Sequence, residues 1–378
     1  MDRRYSWCIC VLIVFGAAAA LAGQPVDAQF TVTTGTGDST TVRLGIAASA
    51  TAGIDTALGE EEIPPAPPPE VFDLRLIDPD TARAALGEGA WVDVRAGDTT
   101  ASAVTEHLLV CRCAASAVLT LRWTLDPGVV AVIAQRDVSP VQRRTATGTG
   151  SMMVTEHGQV CAWSITLHHH VRALTARMFL EGAFDTGTGR MRTTLQDAGI
   201  LAARFPGREI PPEAVDSMAI EVRDAVSGGD GVPLMAMPAW TCADGTVRPF
   251  SPPFDIPLLF PDTDHRAWDV TFVHRNHRRA TCAQPVAVGT TMFVCDMTSH
   301  ADLYAGGEAA TLAPGIYGMI AGDVNGDRRS DASDCAAIRQ GIGRAHAYAL
   351  QDTDLNGGVG ATDLALVRRV MSTNTQEP

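Results

Sequence analysis

Asp323–Asp334 reads DVNGDRRSDASD and Asp352–Asp363 reads DTDLNGGVGATD, two acid-rich loops of twelve residues, each leading into a short apolar-periodic segment. Calcium takes about six to eight oxygen ligands, and a loop of this length supplies them from positions 1, 3, 5, 7, 9 and 12. In the first loop those positions are Asp323, Asn325, Asp327, the backbone carbonyl of Arg329, Asp331 and Asp334. In the second they are Asp352, Asp354, Asn356, the carbonyl of Gly358, Gly360 and Asp363. Carboxylates at registered positions in both copies distinguish the pair from isolated Asx-turns, and the expected cofactor is Ca2+, two ions. Position 6, where a sharp turn favours glycine, is Arg328 in one loop and Gly357 in the other, and Gly360 has no side chain to offer. The expected affinity is therefore moderate, roughly 0.1 to 1 mM.

The closing residue of each loop is Asp instead of Glu, and no helical pattern precedes the first loop. In these features Ala321 to about Met371 resembles a type I dockerin repeat, in which each loop is followed by a helix but not preceded by one. The resemblance implies a small α-helical module that docks onto a cohesin-like domain and so attaches polysaccharide-degrading enzymes to a scaffold. Such modules use paired hydroxyls at loop positions 10 and 11. This chain has Ala332 with Ser333 and Ala361 with Thr362, half of that pattern in each copy. The partner is thus either a cohesin-like domain or the chain's own β region, against which the module would be a calcium-stiffened terminus.

Upstream the pattern changes to short alternating runs separated by Gly, Pro or Asp, which predicts strands. They fall at Val71–Leu76, Trp91–Arg95, His107–Cys113, Ala117–Trp123, Val129–Ala134, Ser151–His157 and Ala162–His169. Strands at this spacing read as a β-sandwich over 71–170. A second β-rich unit, 171–318, carries strands at Val171–Leu180, Ser217–Asp224, Leu234–Met237, Ile256–Phe260, Trp268–His274 and Met292–Asp296, and a short helix at Thr194–Ala203. Residues 29–70 read as an extended Thr/Gly- and Pro-rich segment with one strand near Thr41–Ile46 and polyproline geometry from Leu58 to Val71. The predicted fold is mostly β, one or two sandwich-like domains followed by the small helical module at 319–372 and a polar tail at 373–378. Stretches such as Thr51–Leu76, HRNH at His274–His277 and LAPGIYGMIAGDVNGD at Leu312–Asp327 resemble uncharacterised secreted bacterial modules that end in dockerin-type repeats.

Arg3 and Arg4 followed by an apolar run from Trp7 to Ala22 read as a signal peptide over 1–28, cleaved before Gly23 or Gln29. The chain is thus expected to be secreted, with no membrane span in the mature form. About 350 mature residues suit two or three domains. A net charge of −14 argues against nucleic acid and anionic membranes. All 29 basic residues are Arg, which excludes lysine Schiff-base chemistry. Seven cysteines follow the signal; the odd count leaves at least one thiol unpaired or intermolecular, and Cys282 with Cys295 across a hairpin at Val288 and Gly289, and Cys161 with Cys111 or Cys113, are either disulfides or buried free thiols.

Further chemistry is thin. His168 and His170 share one face of a strand but lack further ligands at zinc-site spacing. HRNH ends an apolar strand, where it either holds a carboxylate or sugar hydroxyl or forms an internal network with acids such as Asp255 or Asp262. Neither a GxSxG elbow nor an HExxH helix is present. The expected role is non-catalytic binding and assembly, linked to extracellular polysaccharide degradation. The alternative is a secreted glycoside hydrolase carrying its own dockerin, which needs two acids about 5 to 9.5 Å apart in one cleft.

Overall fold

The structure is a computed structural model that describes residues 26–79, 86–115, 117–155, 157–225, 232–262, 266–345 and 347–374. Residues 1–25 of the predicted signal peptide and the last four residues of the polar tail lie outside them.

Ten strands build the first unit: β1 (Ala28–Thr34), β2 (Ser39–Ala47), β3 (Asp73–Ile77), β4 (Val92–Ala96), β5 (Ala103–Arg112), β6 (Leu119–Leu125), β7 (Val130–Gln135), β8 (Gln142–Ala146), β9 (Thr149–Val154) and β10 (Val160–His169). They form two five-stranded sheets, ordered β4-β2-β1-β6-β9 and β3-β5-β10-β7-β8. Alternation along each strand turns one side chain in two inward. Phe30 and Leu121 from the first sheet then share a core with Leu76, Leu109 and Trp163 from the second. Residues 29–70 are therefore not an appended segment. β1 sits at the centre of the first sheet, paired with β2 on one side and β6 on the other. Its Thr-rich outer face hid the alternation of Ala28, Phe30 and Val32. The proline run lies against the sandwich, where the Pro64 and Pro67 carbonyls accept from Arg75 and Arg112.

Continuing through His170, the second unit comprises β11 (Val171–Arg177), β12 (Phe184–Asp185), β13 (Arg190–Met191), helices α1 (Thr194–Asp197) and α2 (Ile200–Arg204), β14 (Ala214–Asp224), β15 (Met235–Cys242), β16 (Thr246–Pro249), β17 (Leu258–Pro261), β18 (Trp268–His274), β19 (His277–Thr281), β20 (Met292–Asp296), β21 (Ala310–Ala313) and β22 (Ile316–Gly318). The expected single helix is split at Gly199, whose φ of 70° only glycine adopts readily. Eight strands make one sheet ordered β17-β11-β16-β15-β14-β18-β19, with β20 parallel to β11. A disulfide joins Cys282, just past β19, to Cys295 of β20. It is not a hairpin link, because β20 pairs with β11 and ties one end of the sheet to the other. Cys161 stands opposite Cys111 on the neighbouring strand, and both are buried free thiols.

Two further helices, α3 (Ala332–Gly341) and α4 (Ala361–Asn374), follow the two acid-rich loops. Val324, Cys335, Ile338, Val359 and Val367 form a small core between them. Among the described residues no helix is long and apolar enough to cross a membrane.

Candidate metal centre and the seam beneath it

The two loops fold alike. In each, position 12 ties the ends of the loop together: Asp334 accepts from the Val324, Asn325 and Asp331 amides at 2.8, 3.1 and 2.9 Å. Asp363 accepts from Thr353, Asp354 and Gly360 at 2.6, 3.1 and 2.8 Å. Position 1 accepts from the amide of position 6, Asp323 from Arg328 and Asp352 from Gly357, both at 3.0 Å. Positions 3 and 5 each accept from the amide two residues on, through Asn325 and Asp327 in one loop and Asp354 and Asn356 in the other. Positions 4 and 6 are left-handed in both: Gly326 at 78° and Arg328 at 71°, Leu355 at 54° and Gly357 at 85°. Arg328 thus accepts the conformation that glycine makes easy, at a local cost of about 1 kcal/mol.

Asp323, Asp334, Asp352 and Asp363 are buried. Carboxylate oxygens of Asp352, Asp354 and Asp363 lie within 4.8 Å of one another. In the first loop Asp323 Oδ1 is buried without a hydrogen-bond partner. Burial pushes the Asp323, Asp352 and Asp363 carboxyls above the usual range, and neighbouring carboxylates add to the rise; for Asp352 the Arg275 guanidinium opposes it. A lone buried acceptor and mutually repelling acids are what a divalent cation would relieve, so the residues fit calcium. Asp331, at position 9, has a second task. Its Oδ1 caps α3 by accepting from the Ser333 amide and hydroxyl at 2.8 and 2.7 Å. Arg329, Gly358 and Gly360 are placed in the loops by their amides, which donate to Asp327, Asn356 and Asp363 at 2.9, 2.8 and 2.8 Å.

HRNH lies directly under the second loop. Asn276 Nδ2 donates to the Asp352 carbonyl at 2.6 Å. Arg275 Nη1 donates to the Ala349 carbonyl, while its Nε donates to Asp216 Oδ2 at 2.9 Å. Asp216 also accepts from His274 Nε2 at 3.1 Å and from the Tyr348 hydroxyl at 2.7 Å. Burial alone would raise the Asp216 carboxyl, yet Arg275, His274 and Tyr348 together hold it well below the usual range. Burial depresses both His274 and His277, and the network suits neutral rings. With His274 donating from Nε2, the His277 Nδ1 proton is shared between His274 Nδ1 at 3.0 Å and Asn276 Oδ1 at 2.8 Å, and His277 Nε2 accepts from the Gly182 amide at 3.3 Å. Asp262 and Asp255 are occupied elsewhere, with Arg172 at 2.8 Å and Arg143 at 3.6 Å.

The histidine run is also dispersed. β10 ends at His169 and His170 turns left-handed at 52°, so His168 and His170 do not continue one strand face. His169 is buried, with Nε2 at 3.1 Å from the Thr105 hydroxyl. A cleft of about 540 Å³ lies beside the disulfide and is lined by Val270, Pro285, Phe293, Met297 and Leu303 with one acid, Asp296. That acid is held by Arg177 and Thr298, so no acid pair for glycoside cleavage is assembled in this cleft.

Neither a family model, nor a curated protein, nor a solved structure matches the chain.

Proposed function

We propose that the chain is a secreted calcium-binding protein of non-catalytic, assembly type, whose last fifty or so residues act as a dockerin-like module. The observation that supports this best is the shared hydrogen-bond scheme of the two loops, position for position, around acids raised by burial and mutual repulsion. When bound, Ca2+ would supply the charge that lets these acids sit together; Asp323, Asn325, Asp327 and Asp334 would hold one ion, and Asp352, Asp354, Asn356 and Asp363 the other. Carbonyls of Arg329 and Gly358 and the ninth positions, Asp331 and Gly360, complete the sets directly or through water. Ser333 and Thr362, exposed at the starts of α3 and α4, are the hydroxyls available to a cohesin-like partner.

Calorimetric titration of the full chain tests the metal reading. Two ions should bind at roughly 0.1 to 1 mM, with Mg2+ much weaker; no binding at 10 mM Ca2+ would overturn it. Pull-down against immobilised cohesin domains in calcium and in chelator tests the partner. Retention in both conditions, or in neither, would argue against calcium-gated docking.

A further inference from the structure

The two loops differ most at position 4. In the first loop it is Gly326, at whose Cβ position there is open space. In the second it is Leu355, which holds a left-handed φ of 54° and is 1 % exposed, its side chain part of the main core of the second β unit. A branched residue rarely takes this conformation, so packing must hold it there. The rest of the loop is equally embedded. A Cβ on Gly182 would lie 1.8 Å from the Thr353 carbonyl oxygen, and one on Gly357 would lie 2.7 Å from Ile200 Cδ1. Arg192 donates to the Asp354 carbonyl at 3.1 Å and Asn276 to that of Asp352 at 2.6 Å. Tyr348, in the segment leading into the loop, packs edge-on to Phe205 with centroids 5.9 Å apart, while the Arg275 guanidinium lies 4.3 Å from its ring centre. The first loop is held by Arg278 Nε donating to the Arg328 carbonyl at 3.0 Å and, just before it, by the Arg278 amide to Ile320, the Ala321 amide to Glu181 and the Gly322 amide to Asn276 at 2.8, 2.9 and 2.9 Å, but its position 4 puts no side chain into that core.

We infer that the second loop is a built-in docking element of the chain on itself: Leu355 is its anchor, Arg192 and Asn276 position the two backbone units that carry Asp352 and Asp354, and calcium at this loop is linked to the packing of the second β unit. The inference rests on the calcium reading above. Linkage is reciprocal, so the β unit raises the metal affinity of this loop and the metal stabilises the β unit. The first loop, which has no side-chain anchor in that core, is the less tightly linked site.

Leu355→Gly separates this from a loop that acts alone. Glycine suits a positive φ and is what the first loop carries, so a self-contained loop would bind calcium as well or better after the change. If the anchor matters, binding weakens. The measurement is calorimetric calcium titration of the full chain in an Asp323→Ala background, which leaves the second loop as the site read. Leu355→Gly should weaken binding about tenfold, about 1.4 kcal/mol. Tyr348→Phe, which removes only the hydroxyl bonded to Asp216 and Ser217, should weaken it in the same direction and guards against a variant that fails to fold. Unchanged or tighter binding in Leu355→Gly, with Tyr348→Phe also unchanged, would overturn the inference. A parent that binds no calcium would instead remove the proposed function on which it rests.

Discussion

Asp216 shows how a buried charge is kept: one carboxylate meets Arg275, His274 and Tyr348 at the junction of β14, β18 and the segment before the second loop. Asp216→Asn keeps the shape but leaves Arg275 buried without its counter-ion, which costs about 3 to 5 kcal/mol. Urea unfolding in calcium should show the loss; a change below about 1 kcal/mol would mean that water or Asp352 takes over the guanidinium. The imidazoles set the pH response. Their folded pKa values are depressed, so below about 6.5 the unfolded chain binds protons that the native seam refuses, and stability falls as pH drops, by at most about 1.4 kcal/mol per unit for each ring. Asp216, also depressed, adds its loss only once pH falls below about 4. Urea midpoints between pH 7.5 and 5.5 in saturating calcium should therefore fall for the parent and fall less for His277→Gln. Equal slopes would place the pH dependence elsewhere. The polar tetrapeptide after an apolar strand was legible as an internal network. Its partner was not, because Asp216 lies 58 residues from His274 and nothing in the local sequence distinguishes it from Asp255 or Asp262.

Among the elements, what sequence could show depended on whether the alternation was clean. β10 and β18 carry long apolar faces and stand where the pattern put them, whereas β16, β19 and the β21–β22 pair are too short for alternation to register. β20 was legible as a strand, but its parallel pairing to β11 was not, since period-two patterning does not specify a partner. The matched spacing of the two loops is followed by matched hydrogen bonding, yet the meaning of Leu355 appeared only beside the core it enters. Gly182 tests that contact from the β side. Gly182→Ala would drive a methyl into the Thr353 carbonyl, and because the atom met is backbone, the loop must shift. Overpacking of this kind costs about 1 to 3 kcal/mol. Thermal unfolding should drop accordingly, and calcium binding by the second loop should weaken with it; a stable variant with intact binding would show that the seam has room.

At the scale of the whole molecule, the sandwich of β1 to β10 and the sheet of β11 to β20 have separate main cores, joined by the passage through His170, a small buried cluster of Val130, Val171 and Ala173, and the Gly128 amide donating to the Thr291 hydroxyl at 2.9 Å. The helical pair belongs to the second of these, since Leu355 enters that core and Arg369 pairs with Glu181 at 2.7 Å. Calcium should therefore protect one part of the molecule and not the other. For a site with Kd of about 0.3 mM, 10 mM Ca2+ stabilises the folded form by about 2 kcal/mol. That increment should raise the unfolding transition of the second β unit together with α3 and α4 and leave the sandwich transition where it was. Hydrogen exchange read by mass spectrometry can follow the two parts in one sample. In calcium, amides of β14, β18 and β19 should gain protection along with the loops, while those of β5 and β10 should not. Protection confined to residues 323–374 would mean that the metal orders the helical pair alone, and equal gains across the sandwich would mean that both β units unfold as one body.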